Sequence, residues 1–222
     1  MLVEVVKVDI LMVTSIIGTV AFALSGAIVA IEENYDMLGI TVLGFVTAFG
    51  GGVLRNIMLD LPMSIFWEQT NLFYVAFGTI FLVYLFPNVS TRWKKLEIIS
   101  DAIGLAAFSI SGALYGLETF HQLGPAVLAA ILTGTGGGVI RDLLAGKKPS
   151  VLCAEVYGSW SILIAVVIYF TTPVHPSFYL IIVALTIILR LVGLTYNWNL
   201  PKKSYFIKKA DITPVNSIIE KE

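Results

Sequence analysis

The chain has 222 residues, of which 57% are hydrophobic and only 13% charged, with a formal net charge of −1 and a mean hydropathy of +0.89. Soluble domains carry about 25% charged residues, so a water-soluble fold of this length could not cover itself, and the bilayer must supply part of its solvent. The near-neutral balance removes any electrostatic case for nucleic acid, while one cysteine, Cys153, and two isolated histidines, His121 and His175, allow no internal disulfide and offer no metal-ligand set.

Apolar runs fall at 10–31, 38–59, 70–87, 98–117, 123–144, 155–172 and 177–196. Each is close to the ~20 residues that cross ~30 Å of hydrocarbon. The first follows Lys7 and contains Ala21–Phe22–Ala23, which imitates a signal-peptide cleavage site. It continues to Ile31, too far for a signal peptide, so it is expected to remain as a helix. Short polar connections separate the runs, among them 32–36, 87–97 and 145–154. A polar tail, 199–222, carries Lys202, Lys203, Lys208 and Lys209 and is expected outside the membrane.

Shifting the sequence on itself by 86 residues gives an ungapped match. Between Thr14 and Phe66 there are 15 identities in 53 positions. Gly18 falls on Gly104, Ala21–Phe22 on Ala107–Phe108, and Ser25–Gly26–Ala27 on Ser111–Gly112–Ala113. Thr47 falls on Thr133, Gly50–Gly51–Gly52–Val53 on Gly136–Gly137–Gly138–Val139, Arg55 on Arg141 and Ser64 on Ser150. Apolar bias matches scattered Leu and Val but not two GGGVxR blocks in register. Each copy holds three spans, and an odd number makes the second copy enter from the opposite side. The expected fold is an all-α polytopic membrane protein with seven transmembrane helices, two inverted three-helix repeats (1–97 and 98–176) plus a seventh helix (177–198) and the tail.

Lys and Arg favour cytoplasmic connections. Arg92, Lys94 and Lys95 lie in the third connection, Lys147 and Lys148 in the fifth, and four lysines in the tail. The N-terminus is therefore expected outside the cell membrane and the C-terminus in the cytoplasm; the first connection, with Glu32 and Glu33, adds no support.

Three consecutive glycines weaken a helix by about 2–3 kcal/mol. Both triplets lie near the centre of their span, where a broken backbone is tolerated only against protein or water. Interruptions at matching positions of two inverted repeats point to a midplane site. Kinked second and fifth spans would present backbone carbonyls to an ion, with Thr47, Thr133 and Thr135 adding hydroxyls. Close helix packing is the alternative. Gly26–x–x–x–Ala30 and Gly112–x–x–x–Gly116 read as packing motifs.

Charges within spans are functional candidates. Arg141 is followed by Asp142, and Asp101 on the fourth span reaches the same depth, so an Asp101–Arg141 ion pair is expected. The first copy has Ser15 and Asn56 at the positions of Asp101 and Asp142. That leaves Arg55 to face water or an anion. These four charges are candidates for a vestibule or gate, and Arg190 is expected to snorkel or to pair with Glu155. Enzyme and cofactor motifs fail: Gly134–Thr135–Gly136–Gly137–Gly138 has Val139 where a dinucleotide fingerprint needs its third glycine. Gly146–Lys147–Lys148 lacks both the upstream glycine and the Ser or Thr of a P-loop.

The two GGGVxR blocks, with Ser-Gly-Ala in the preceding spans, resemble the TRIC family of trimeric intracellular cation channels, in particular its bacterial branch. The resemblance covers about residues 10–196. It implies a homotrimer in lipid whose subunits each hold a pore between the second and fifth spans, kinked at Gly50, Gly51, Gly52, Gly136, Gly137 and Gly138. It implies passive conduction of potassium, and also sodium, with no cofactor. Bacterial relatives usually carry Arg-Asp after both triplets, whereas the first copy here reads Arg55–Asn56. Some are described as glycine transporters, which makes secondary transport of glycine or another small neutral solute the alternative function.

Overall fold

A computed structural model describes residues 2–86, 91–153, 156–171, 175–196 and 198. The tail 199–222, Glu155 and the side chain of Cys153 lie outside the described residues. Among the described residues the only regular structure is helical: α1 (Leu2–Glu32), α2 (Met37–Met58), α3 (Ser64–Trp67), α4 (Thr70–Leu85), α5 (Thr91–Phe120), α6 (Leu123–Leu144), α7 (Ser150–Cys153), α8 (Tyr157–Thr171) and α9 (Pro176–Thr195). The seven long helices coincide with the seven apolar runs, α2 and α6 being the glycine-triplet spans.

Five of them are long and apolar enough to cross a membrane: α1, α2, α5, α6 and α9. Helices α4 and α8, with 16 and 15 residues, reach only about 24 and 23 Å at ~1.5 Å per residue. Two boundaries differ from expectation. The stretch 91–97, expected within a connection, is the first part of α5. Arg92, Lys94, Lys95 and Glu97 are good helix formers, and Trp93, like Ile31 and Tyr35, packs against the cluster that contains Phe22 and Ile28. Likewise α1 extends back to Leu2. Its buried residues, including Phe22 and Ala27, make it a structural part of the bundle.

The end of each triplet helix shows how local sequence sets the chain path. Asp36 caps α2 by accepting from the Gly39 amide at 2.7 Å. At its far end the Leu61 amide returns to the Asn56 carbonyl at 2.9 Å, and in α6 Lys147 does the same to Asp142 at 2.7 Å. These closures need a left-handed residue, supplied by Asp60 (φ 51°) and Gly146 (φ 68°).

One apolar cluster joins α1, α2 and α4 through Phe22, Ile28, Leu43, Phe49 and Ile80. A second joins α1, α5, α8 and α9 through Ile10, Ile110, Ile164 and Tyr179. Outward faces carry exposed Leu38, Tyr74, Phe170 and Leu180, as a lipid-facing surface requires. At one end, the Tyr35 hydroxyl donates to the Leu144 carbonyl at 2.7 Å. There Lys147 also pairs with Glu32 and Glu33 at 3.4 and 3.0 Å, which puts the first and fifth connections on one face. Burial opposes the Lys147 charge, but the hydrogen bonds and attraction of Glu33 and Glu32 outweigh it and hold the ammonium above its ordinary range.

Candidate functional site: a glycine crossing beside a cavity and a buried charge network

Helices α2 and α6 cross at their glycine triplets. A methyl group on Gly51 would lie 2.5 and 2.8 Å from the carbonyl oxygens of Thr133 and Leu132, and 3.2 Å from the Gly137 amide. One on Gly137 would collide with the Thr47 carbonyl oxygen. The two backbones therefore touch, with no room for any side chain between them. Gly50 packs on Ile140, and Gly136 on Leu54 and the Gly51 backbone.

The triplets do not break their helices. Both α2 and α6 are α-helical throughout their 22 residues, and neither triplet holds a residue of positive φ. This corrects the expected loss of regular backbone, and with it the idea that the carbonyls are released for an ion. The cost of the glycines is met by the close approach they permit. The threonine hydroxyls are bonded within their own helices: Thr47 to Leu43, Thr133 to Ala129 and Thr135 to Ile131, at 2.6–2.8 Å. Gly26 and Gly112 do act in packing, against the backbones of α2 and α6 at Leu43 and Ala129.

The third glycine of each triplet faces polar surroundings. Gly52 has nothing within 4 Å of where its side chain would begin. It opens on a cavity with ≈ 30 Å³ of space for water, walled by Ser15, Thr19, Arg55, Asn56, Gln69, Ser111, Tyr115 and Thr133. A groove of ≈ 380 Å³ between α1 and α4 adjoins it, sharing Ser15, Gln69, Leu72 and Tyr115. Arg55 is 3% exposed. It donates from Nε and Nη2 to Asn56 Oδ1 at 3.0 and 2.8 Å and lies 4.2 Å above the Tyr115 ring.

Gly138 faces Tyr157 and Asp101 instead. The expected Asp101–Arg141 pair forms at 2.8 Å. Arg141 also donates through Nε and Nη2 to Asp142 at 2.9 and 2.7 Å, and to Ser25. Asp142 in turn accepts from the amide and hydroxyl of Ser150, fastening α7 to α6. Arg190, expected to snorkel or to pair with Glu155, instead donates to Asp101, as does the Tyr157 hydroxyl at 3.0 Å. Two guanidiniums and two carboxylates thus form one buried network, and none of them lines the cavity at Gly52.

Beside the crossing stand Phe22 and Phe108, edge to face at 5.3 Å. Phe22 packs on Gly104 and Gly137, and Phe108 on Gly18 while also walling the cavity. Sequence reasoning did not assign this pair or Tyr115 to the site. The repeated Ala-Phe at 21–22 and 107–108 carried the signal for the pair, but Tyr115 has no counterpart there.

The family model described as Glycine transporter matches twice, over residues 12–88 and 98–173. Membrane protein YvgT of Bacillus subtilis (strain 168) is 46% identical over 192 residues, 86% of this chain and 95% of that protein. Inner membrane protein YadS of Escherichia coli (strain K12) is 34% identical over 84% of this chain and 92% of that protein. Among solved structures, a prokaryotic TRIC channel in 0.5 M KCl is 32% identical with a TM-score of 0.79, over 86% of this chain and 99% of that one. The trimeric intracellular cation channel orthologue from Rhodobacter sphaeroides is 27% identical with a TM-score of 0.76, over 84% and 97%. The two bacterial relatives are named membrane proteins, the matching family and the solved neighbours are transporter and channel proteins, not enzymes, and the chain belongs to that family, the TRIC membrane proteins matched by the Glycine transporter model.

Proposed function

We propose that the protein is a monovalent cation channel, permeable to potassium, with its route inside each subunit. The observation that carries this reading is the fold shared with a prokaryotic TRIC channel over nearly the whole of that chain. The route would pass from the groove between α1 and α4 into the cavity at Gly52, then across the centre to the Gly138 side, where Asp101 and its partners lie. Gly52 leaves the cavity end of that line open, while the middle glycines hold α2 and α6 together. Phe22 and Phe108 form an apolar constriction between the cavity and the Asp101 network, a type of barrier that blocks ions by excluding water. The arrangement is thus a closed state, and opening requires the two rings to part.

The proposed architecture is two inverted three-helix repeats plus a seventh helix, with all seven long helices in the membrane. Bounds and contacts repeating at an 86-residue offset support it: α2 and α6 coincide at both ends, Gly18–Phe108 mirrors Gly104–Phe22, and Gly50–Ile140 mirrors Gly136–Leu54. Lys147 and the first connection share a face that we assign to the cytoplasm, with the N-terminus outside. The subunits assemble as a homotrimer, by analogy with the trimeric orthologue.

A second reading, transport of glycine or a similar small solute, is favoured by the description of the matching family model. Flux into proteoliposomes under separate potassium, sodium and glycine gradients distinguishes them. The channel reading expects potassium and sodium flux without saturation by glycine. Saturable glycine uptake with ion-tight vesicles would replace it by the second.

A further inference from the structure

The two halves treat their matched arginines differently, and the difference has the shape of a missing ligand. In the second half, Arg141 uses Nε and Nη2 on Asp142 and Nη1 on Asp101 and Ser25. An offset of 86 residues turns these partners into Asn56, Ser15 and Ser111. Arg55 keeps the first contact, with Nε and Nη2 on Asn56. Its Nη1 has no acceptor among the described residues. Ser15 makes no bond to it, and its hydroxyl pairs with Ser111 at 3.3 Å. Where the other half places the Asp101 carboxylate, this half has the cavity walled by Arg55, Ser15 and Ser111.

Two further features fit an anionic occupant. Asn56 is neutral, so Arg55 forms no ion pair among the described residues, although it is 3% exposed. Stacking on Tyr115 relieves part of that burial. Thr19, 1% exposed, also lines the cavity, and its buried hydroxyl has no hydrogen-bond partner. The residue 86 positions on is Leu105, which needs none.

We propose that this cavity binds a small carboxylate, seated on Arg55 Nη1 and the hydroxyls of Thr19, Ser15 and Ser111 in place of the missing aspartate. Charge-assisted bonds from a guanidinium suit that group, and ≈ 30 Å³ admits a carboxylate head but not a bulky acid. The cavity lies on the route proposed above, but the assignment concerns what occupies it, and it is read by binding rather than by conduction.

Thermal unfolding of the purified full-length protein tests it, in acetate, chloride or gluconate at equal ionic strength. Acetate should raise the midpoint saturably, by roughly 5 °C or more at a hundredfold excess over Kd, and gluconate should not. Ser15→Asp supplies the carboxylate internally, so it should melt no lower than the parent in gluconate and lose the acetate response. Arg55→Gln should lose the response too. Equal midpoints in acetate and gluconate, an acetate response kept by Ser15→Asp, or an equal rise in chloride would each overturn the assignment.

Discussion

The close backbone contact at Gly51 makes a contrast between adjacent glycines. An alanine at 51 puts its methyl carbon 2.5 Å from the Thr133 carbonyl oxygen, about 0.9 Å short of the 3.4 Å at which ordinary contact begins. Both obstructing groups, the carbonyls of Thr133 and Leu132, are backbone, so relief requires α2 and α6 to separate. Overpacking of this kind costs about 1–3 kcal/mol, and the upper end applies where no side chain can swing away. Against this stands the ~1 kcal/mol that alanine gains over glycine in a helix. Gly51→Ala is therefore destabilising by about 2 kcal/mol, or roughly 4–8 °C in melting temperature for a chain of this size. At Gly52, where nothing lies within 4 Å, only the gain remains, and Gly52→Ala should melt about 2–4 °C higher. Fluorescence-detected unfolding of the detergent-solubilised proteins, with size-exclusion profiles to check assembly, reads both. A Gly51→Ala protein as stable as its parent, or an equal loss at both positions, would refute the backbone-contact reasoning.

Other substitutions separate structural from gating roles. Asp101→Asn removes the carboxylate shared by Arg141, Arg190 and Tyr157 and should cost about 3–5 kcal/mol, read by the same unfolding assay. Lys147→Ala breaks a part-exposed pair with Glu32 and Glu33 and should cost no more than ~1 kcal/mol. Phe22→Ala empties a fully buried site, lowering stability by about 3–5 kcal/mol. Because it also removes half of the central constriction, potassium leak into proteoliposomes should rise above the parent's.

Much of this was legible in the sequence because a membrane span has few ways to be built. The 86-residue offset placed Phe22 on Phe108 and the triplets on each other, and depth alone matched Asp101 to Arg141. The state of the glycines was not legible. Propensity penalises a Gly-Gly-Gly run, and only the opposing backbone at Thr47 and Thr133 shows why the helix persists. The partner of Arg190 depends on how α9 lies against α5, which no local pattern encodes. Arg55 was recognisable as an arginine lacking acidic companions, but the cavity beside it appears only when α1, α2 and α5 are brought together.

Unitary current recording from the purified protein in planar bilayers, under a potassium chloride gradient, tests the central claim most directly. The account predicts discrete openings that reverse near the potassium equilibrium potential, with longer or more frequent openings for Phe22→Ala. Silent bilayers from a folded, reconstituted assembly, for both the parent and Phe22→Ala, would contradict it.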